Sequence, residues 1–420
     1  MLARLVRVGQ SGVSVRRVGG NRAGEMRFTR FLRNPRVSPS EMVATARTRT
    51  AKRVRGRHIL AIQDTTTLRD DGRQCSLNLH AMIAVDAADG APLGLVEAVF
   101  LDRAGGKKRL SAKRAFADKE SRRWLDATRT AAGLVPAGAA SVTVVADQEG
   151  DIYEEFACRP TETELLIRAH HDRVLEDGGT LYDCMAQVPE LGRETIDLPA
   201  NPGRPARSVV LALRARLVTL KRPKRNHAAE AAKLPKIVTL TLVEAREVDP
   251  PDGVTPVHWR LLTTHPVATL AQACQITGFY RQRWTIEQLF RVMKTKGFNI
   301  EAVRVAEGGP FENLTTATLI AAIQVLQLVR ERDGAARRPI EDAIDPEHRP
   351  ALEAVCQTLE GRTTRQKNPH PKGSLAYASW VCARLGGWTG YYGKPGPIVM
   401  MQGLQSLNAM LEGWRLHGDV

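Results

Sequence analysis

Short apolar runs separated by polar turns dominate the first third of the chain. His58–Ile62 is a continuous apolar run that predicts a buried strand, ending at Gln63-Asp64-Thr65-Thr66-Thr67. Leu79–Val85 and Leu93–Leu101 predict two further strands joined by a turn at Asp89-Gly90. Residues 111–132 have helical spacing, with Phe116, Trp124, Leu125 and Thr128 facing inward. Val142–Ala146 is another apolar strand; it stops at Asp147, and Asp147-Gln148-Glu149-Gly150-Asp151 leads into a short helix. Three strands, a helix and a fourth strand predict an α/β fold, a mixed sheet with helices on its faces. Strand ends in such sheets gather side chains into one pocket. Asp64 and Asp147 can therefore meet although 83 positions separate them.

The texture then changes twice. Ser208–Leu220, Lys236–Ala245 and Val257–Thr264 make residues 161–266 a strand-rich block with Pro, Gly and Asn clusters between the strands. From Thr269 the pattern is helical, over roughly 269–296, 313–332, 350–360, 374–386 and 400–414. A polar, Pro-containing linker runs from Asp333 to Pro350.

The first of these helices is the most informative. At roughly 100° per residue, Tyr280, Arg283, Glu287, Arg291 and Lys294 fall within a stripe about 80° wide. Ile286, Leu289, Phe290 and Met293 lie on the other side, so that face packs on the sheet. One reading is a solvated face in which Glu287 pairs with Arg283 and Arg291 at four-residue spacing. The other is a carboxylate metal ligand flanked by phosphate-binding groups. The presence of Tyr280 on the stripe, and of an aspartate at each of two strand ends, favours the second.

Composition and charge narrow the partner. The chain has 420 residues, 43% of them hydrophobic, which is enough for a proper core and excludes disorder as the main state. Charged or turn residues break the apolar stretches short of the ~18 residues of a membrane span. A net charge of +16 and a pI near 9.9 point to a polyanion, with nucleic acid the first candidate. That excess is local: residues 1–57 hold fifteen Arg and Lys against only Glu25 and Glu41, and the remainder is near neutral. The first twenty residues read as a loose basic arm, with an organelle-targeting segment as the alternative. Cys75, Cys158, Cys184, Cys274, Cys356 and Cys382 show no zinc-ligand spacing and read as free thiols in a reducing cytoplasm. There is no Walker A loop and no GxSxG, so neither ATP nor a serine nucleophile is expected.

Asp64, Asp147 and Glu287 supply hard oxygen ligands that suit Mg²⁺ or Mn²⁺. In a basic neighbourhood the natural substrate is a phosphodiester, attacked in line at a two-ion site. Arg283, Arg291 and Lys294 would hold backbone phosphates, and Tyr280 would donate to a phosphate or stack on a base. Arg168, His171 and Arg173, within Arg168-Ala169-His170-His171-Asp172-Arg173, form a second cluster for DNA. A metal at His170-His171 is disfavoured, because adjacent strand side chains face opposite ways. Lys221-Arg222-Pro223-Lys224-Arg225 reads as a solvated loop before a phosphate contact. Glu149 and Asp151 read equally as metal-assisting groups or as helix-start charges.

The spacing Tyr280-x2-Arg283-x3-Glu287-x6-Lys294 resembles the YREK signature of bacterial cut-and-paste transposases of the IS-four group, the Tn-five-like DDE transposases. Gln63-Asp64-Thr65-Thr66 is similar to the group's first aspartate motif and Asp147–Asp151 to its second. Arg384–Trp388, Lys394–Pro397 and Gly403–Gln405 resemble its end domain. The resemblance implies an RNase H-like catalytic core (57–160 plus 267–332), a β-rich insertion (161–266) and a C-terminal helical dimerisation domain (333–420). It also implies a basic, shortened N-terminal DNA-binding region at 1–56. It implies a catalytic and metal-binding triad of Asp64, Asp147 and Glu287, with two Mg²⁺ ions that Mn²⁺ can replace. Cleavage at transposon ends, hairpin formation and 3′-OH strand transfer into target DNA would be carried out by a homodimer acting in trans in the bacterial cytoplasm. Trp284 matches a position near the DNA, though a packing role fits its place on the helix as well. Gln148 departs from the group by standing where an arginine is usual. Two other readings remain: a non-catalytic DNA-binding relic or transposition inhibitor, and a stand-alone nuclease on the same core.

Overall fold

A computed structural model describes residues 16, 19, 21–70, 76–102, 119–200, 205–224, 233–295, 297–303, 305, 308–391 and 393–418. Phe116 and Arg225 lie outside the described residues. The chain divides into two compact units, one of Met1–Arg55, Thr65–Gly105 and Thr285–Val420, the other of Gly56–Asp64 and Gly106–Trp284. It passes between them at Arg55–Gly56, at Asp64–Thr65 within strand β1 (His58–Asp70), at Gly105–Gly106 and at Trp284–Thr285.

The unit that contains both termini begins with α1 (Arg22–Leu32) and α2 (Pro39–Arg53). Asn21 caps α1 by accepting from Gly24 N, and the helix buries Gly24, Phe28 and Leu32 at four-residue steps. Ser38 caps α2 with Pro39 in its first turn, a strong start signal. The strands here are ordered β3-β2-β1, with β2 (Ser76–Asp86) antiparallel to β3 (Pro92–Asp102) across the turn at Asp89-Gly90. Thr50 of α2 donates its hydroxyl to Leu95 O of β3, and a Cβ on Gly94 would sit 2.1 Å from that hydroxyl. Only glycine allows so close a helix–strand approach.

Helix α6 (Trp284–Lys294) is followed by α7 (Gly308–Glu331), α8 (Arg349–Leu359), α9 (Leu375–Leu385) and α10 (Pro397–Gly418). By length and composition α7 is long and apolar enough to cross a membrane, contrary to the expectation that charged or turn residues break every apolar stretch. Most of it is buried against α2, β3, α9 and α10, which makes it the core helix of this unit. The stretch expected to be a polar linker is pinned. Arg338, buried, reaches Asp86 at 2.9 Å and Asp342 at 2.8 Å, and Ile340 N bonds Gly373 O at 2.9 Å.

The second unit contains the strand order β1-β4-β5-β9-β8-β7-β6, starting from the His58–Asp64 half of β1. Strand β4 (Ser141–Ala146) runs parallel to β1 and to β5 (Thr163–Arg168). Strands β6 (Gly192–Leu198), β7 (Arg207–Lys221), β8 (Ile237–Glu247) and β9 (His258–Thr263) continue as antiparallel neighbours. Helix α3 (Arg122–Ala132) buries Trp124, Leu125, Thr128 and Ala131 against β4 and the short α4 (Tyr153–Cys158). Helix α5 (Leu270–Gln282) starts at a capping box of Thr269 and Gln272 and packs on β6, β7 and β8.

The segment expected as one helix over 269–296 is therefore two. Arg283 keeps helical dihedrals, but its N–H bonds Tyr280 O, three residues back, and this tight turn separates α5 from α6.

Candidate active site

Strands β1 and β4 pair in register from His58↔Ser141 to Ile62↔Val145. Continued by two positions, that register sets Asp64 level with Asp147. Neighbouring strands lie about 4.8 Å apart, and residues level on parallel strands point to the same face. The two aspartates thus stand side by side, each preceded by the buried apolar run that fixes its strand.

Each carboxylate has a distinct setting. Asp147 Oδ1 accepts from Glu149 N at 2.9 Å and caps the 3₁₀ turn Gln148–Gly150. A Cβ on Gly150 would lie 2.7 Å from Ala146 Cβ, with the Trp124 ring behind it, so the turn following Asp147 requires a glycine. Asp64 Oδ2 is 3.3 Å from Arg283 Nη1, and both side chains are largely withdrawn from solvent. By donor chemistry the pair fits a hard divalent cation, since two carboxylates one strand apart repel each other and a cation relieves that repulsion. Among the described residues no three His, Cys, Asp or Glu side chains form a ready metal cluster.

Tyr280 is buried and does not sit on an open polar stripe. Its ring packs edge-on to Trp259 at 5.5 Å, and the Arg283 guanidinium lies 5.8 Å from its centroid. Burial raises its pKa, and the positive charges of Arg283 and Arg168 oppose that rise. Arg168, Tyr280, Arg283 and Asp64 thus form a connected row within one unit. Trp284 is half-buried.

In the other unit, α6 buries Ile286, Leu289, Phe290 and Met293, the apolar face that periodicity predicts. Glu287 and Arg291 are exposed. Lys294 donates to Thr67 O and lies 2.9 Å from Glu301.

The cluster after β5 is organised by Asp151. Its Oδ2 accepts from the backbone N–H groups of His170 and His171, both at 2.8 Å. Its Oδ1 accepts from Arg173 Nη2 at 2.5 Å and Nε at 3.1 Å. The Asp151 side chain is fully buried and that of Arg173 nearly so. Asp151 is therefore a clamp between the turn after Asp147 and the loop after β5, a role that neither reading of it foresaw. The two residues lie 22 positions apart, and no local sequence pattern reports such a pairing. His170 and His171 are exposed, with rings 4.9 Å apart, and partial desolvation lowers the pKa of His171.

A cavity of about 840 Å³ opens beside this clamp, lined by Gln148, Glu149, Lys119, Arg173, Lys221 and Lys224 among others. In the run at 221–224, Lys221 and Lys224 are exposed, in keeping with a solvated loop, and they also line the cavity wall. The signal was the acid-free sequence of the run; what it lacked was a location.

A family model described as a transposase DDE domain matches residues 40–323, a span that contains Asp64, Asp147 and Glu287.

Proposed function

Since the chain belongs to the family of transposase DDE domains, we propose that it moves DNA by a cut-and-paste reaction like that of the IS-four group. Membership makes it a transposase, an enzyme of the polynucleotidyl transferase and nuclease class acting on DNA. In our reading Asp64, Asp147 and Glu287 are the catalytic carboxylates and hold two Mg²⁺ ions, which Mn²⁺ can replace, without ATP. The observation that best supports it is the level placement of Asp64 and Asp147 on adjacent parallel strands. The YREK spacing from Tyr280 to Lys294 supports the choice of group.

Bound by these carboxylates, divalent ions would supply Lewis-acid stabilisation for an in-line displacement. Arg283 balances the charge of Asp64 and offers a planar donor fork to the phosphate of the strand being cut. Arg291 and Lys294 hold flanking phosphates, Lys294 as a point charge. Tyr280 acts indirectly, holding Arg168 and Arg283 in place, while Trp284 borders the same strand. His171 and Arg168 touch the DNA beside the second aspartate, and Arg173 acts through Asp151 to fix that loop. The basic residues of 1–56 capture transposon ends, and the helices of 333–420 pair two copies in a homodimeric synaptic complex in the bacterial cytoplasm.

The test is a nicking assay on the element's own ends. Asp64→Ala, Asp147→Ala and Glu287→Ala should each abolish Mg²⁺-dependent cleavage while duplex binding persists. Cleavage retained in any one of them would remove that residue from the triad.

A further inference from the structure

The charge of the C-terminal third is less uniform than its near-neutral sum suggests. From Gly361 to Leu411 the sequence has no Asp or Glu, but it has Arg362, Arg365, Lys367, Lys372, Arg384 and Lys394. Several of these line a cavity of about 420 Å³ together with Arg332, Trp380 and Trp388, and Asp333 is the only carboxylate among the lining residues.

The cations there do two kinds of work. Arg384 donates to Trp388 O and Thr389 O, Arg332 to Pro395 O at 2.9 Å, and Lys394 pairs with Asp333 at 2.7 Å. With Trp388 Nε1 bonded to Gly393 O at 3.0 Å, these contacts shape the loop that forms one wall. Arg365 and Lys367 instead stand exposed at the rim, and among the described residues neither pairs with a carboxylate. The backbone turn that carries them is braced. Thr363 and Gln366 close a capping box around the 3₁₀ turn bearing Arg365, and Asn368 Nδ2 anchors the next residues to Tyr377 O at 3.1 Å. The Arg365 guanidinium lies 4.9 Å over the ring of Tyr391, which is 47% exposed.

A pair of exposed cations on a braced turn beside an open aromatic ring, in a stretch without acids, matches a sugar–phosphate backbone. We propose that the mouth of this cavity is a DNA-contact site separate from the catalytic carboxylates, where Arg365 and Lys367 grip backbone phosphates and Tyr391 lies against the adjoining sugar or base. The site rests on the reading that DNA is the substrate but not on the assignment of the triad.

The test measures binding of a duplex of unrelated sequence by fluorescence anisotropy, in EDTA, over a NaCl series from about 50 to 200 mM. Each phosphate contact contributes about −0.9 to the slope of log K against log[salt]. The Arg365→Gln/Lys367→Gln double variant should flatten that slope by about 1.8 at an unchanged melting temperature. Lys372→Gln is the control: it lies in the same acid-free stretch but is paired with Glu353 at 2.9 Å, and its slope should match wild type. An unaltered slope in the double variant overturns the site, as does an equal flattening in Lys372→Gln, which would mean diffuse charge alone. Because no cleavage is read, a failed triad leaves this result intact.

Discussion

Arg283 and Asp64, 219 positions apart, form an ion pair of 3.3 Å in which both side chains are mostly shielded from water. The arginine comes from the turn that separates α5 from α6, and the aspartate from the strand position level with Asp147. A guanidinium beside one of two adjacent carboxylates lowers their repulsion. It also provides a fixed positive charge and hydrogen-bond donors for charge that builds up on a phosphate. Removing one such donor from an active site typically costs about 10²–10³ in kcat. Arg283→Gln should slow single-turnover cleavage at saturating DNA by that order, with DNA affinity changing little. A cleavage rate equal to wild type would take Arg283 out of the reaction.

The clamp at Asp151 predicts a stability loss of a specific size. Asp151→Ala leaves the Arg173 guanidinium buried without its carboxylate and two backbone donors unsatisfied. Breaking a buried pair from one side costs about 3–5 kcal/mol. Urea unfolding should show that loss, and an unshifted midpoint would refute the clamp.

Glu155 makes stability depend on pH. It is fully buried on α4, accepts from Thr128, and burial pushes its pKa up to about 7. Its folded pKa lies above its unfolded value, so the neutral acid is favoured in the folded protein. That contribution is fully present below the unfolded pKa of about 4.5 and is lost as pH rises through about 7. The difference across the window is about 3 kcal/mol. Glu155→Gln keeps the hydrogen bond without the titration and should flatten the stability profile between about pH 5 and 8. Parallel profiles for the two proteins would show that Glu155 is not the titrating group.

Gly150 links packing to the site. A Cβ there meets Ala146 Cβ at 2.7 Å, at the turn that Asp147 caps. Gly150→Ala should cost about 1–3 kcal/mol by overpacking, and it should reduce cleavage more than DNA binding because the displaced turn carries Asp147. Pairing Gly150→Ala with a Trp124→Leu substitution tests the mechanism, since only the Trp124 ring, not Ala146, is then relieved. Rescue by that pair would place the strain on the indole.

Much of this was legible in the sequence for a simple reason. The runs Ile59–Ile62 and Val142–Ala146 are almost wholly apolar, Thr143 being the exception, because both strands are buried on two faces, and such runs end where the polar residues begin. The strand ends, and with them the two aspartates, could be located without knowing the pairing. The apolar face of α6 was equally plain from its period. What stayed hidden depended on contacts between distant residues or on small changes in phase. No proline or glycine marks the break at Arg283, whose dihedrals remain helical, so periodicity ran straight through it and left Tyr280 on an open stripe. The clamp of Asp151 on the loop after β5, and that of Arg338 on Asp86, join residues too far apart for any local pattern to report.

The level placement of Asp64 and Asp147 has a consequence for tolerated length changes. Along a strand, parity decides which face a side chain occupies, so inserting or deleting one residue between His58 and Asp64 would turn the carboxylate to the opposite face. The same holds from Ser141 to Asp147. The intervening 70-odd residues are under no such arithmetic where they form loops, and their number can drift while the two strands keep count.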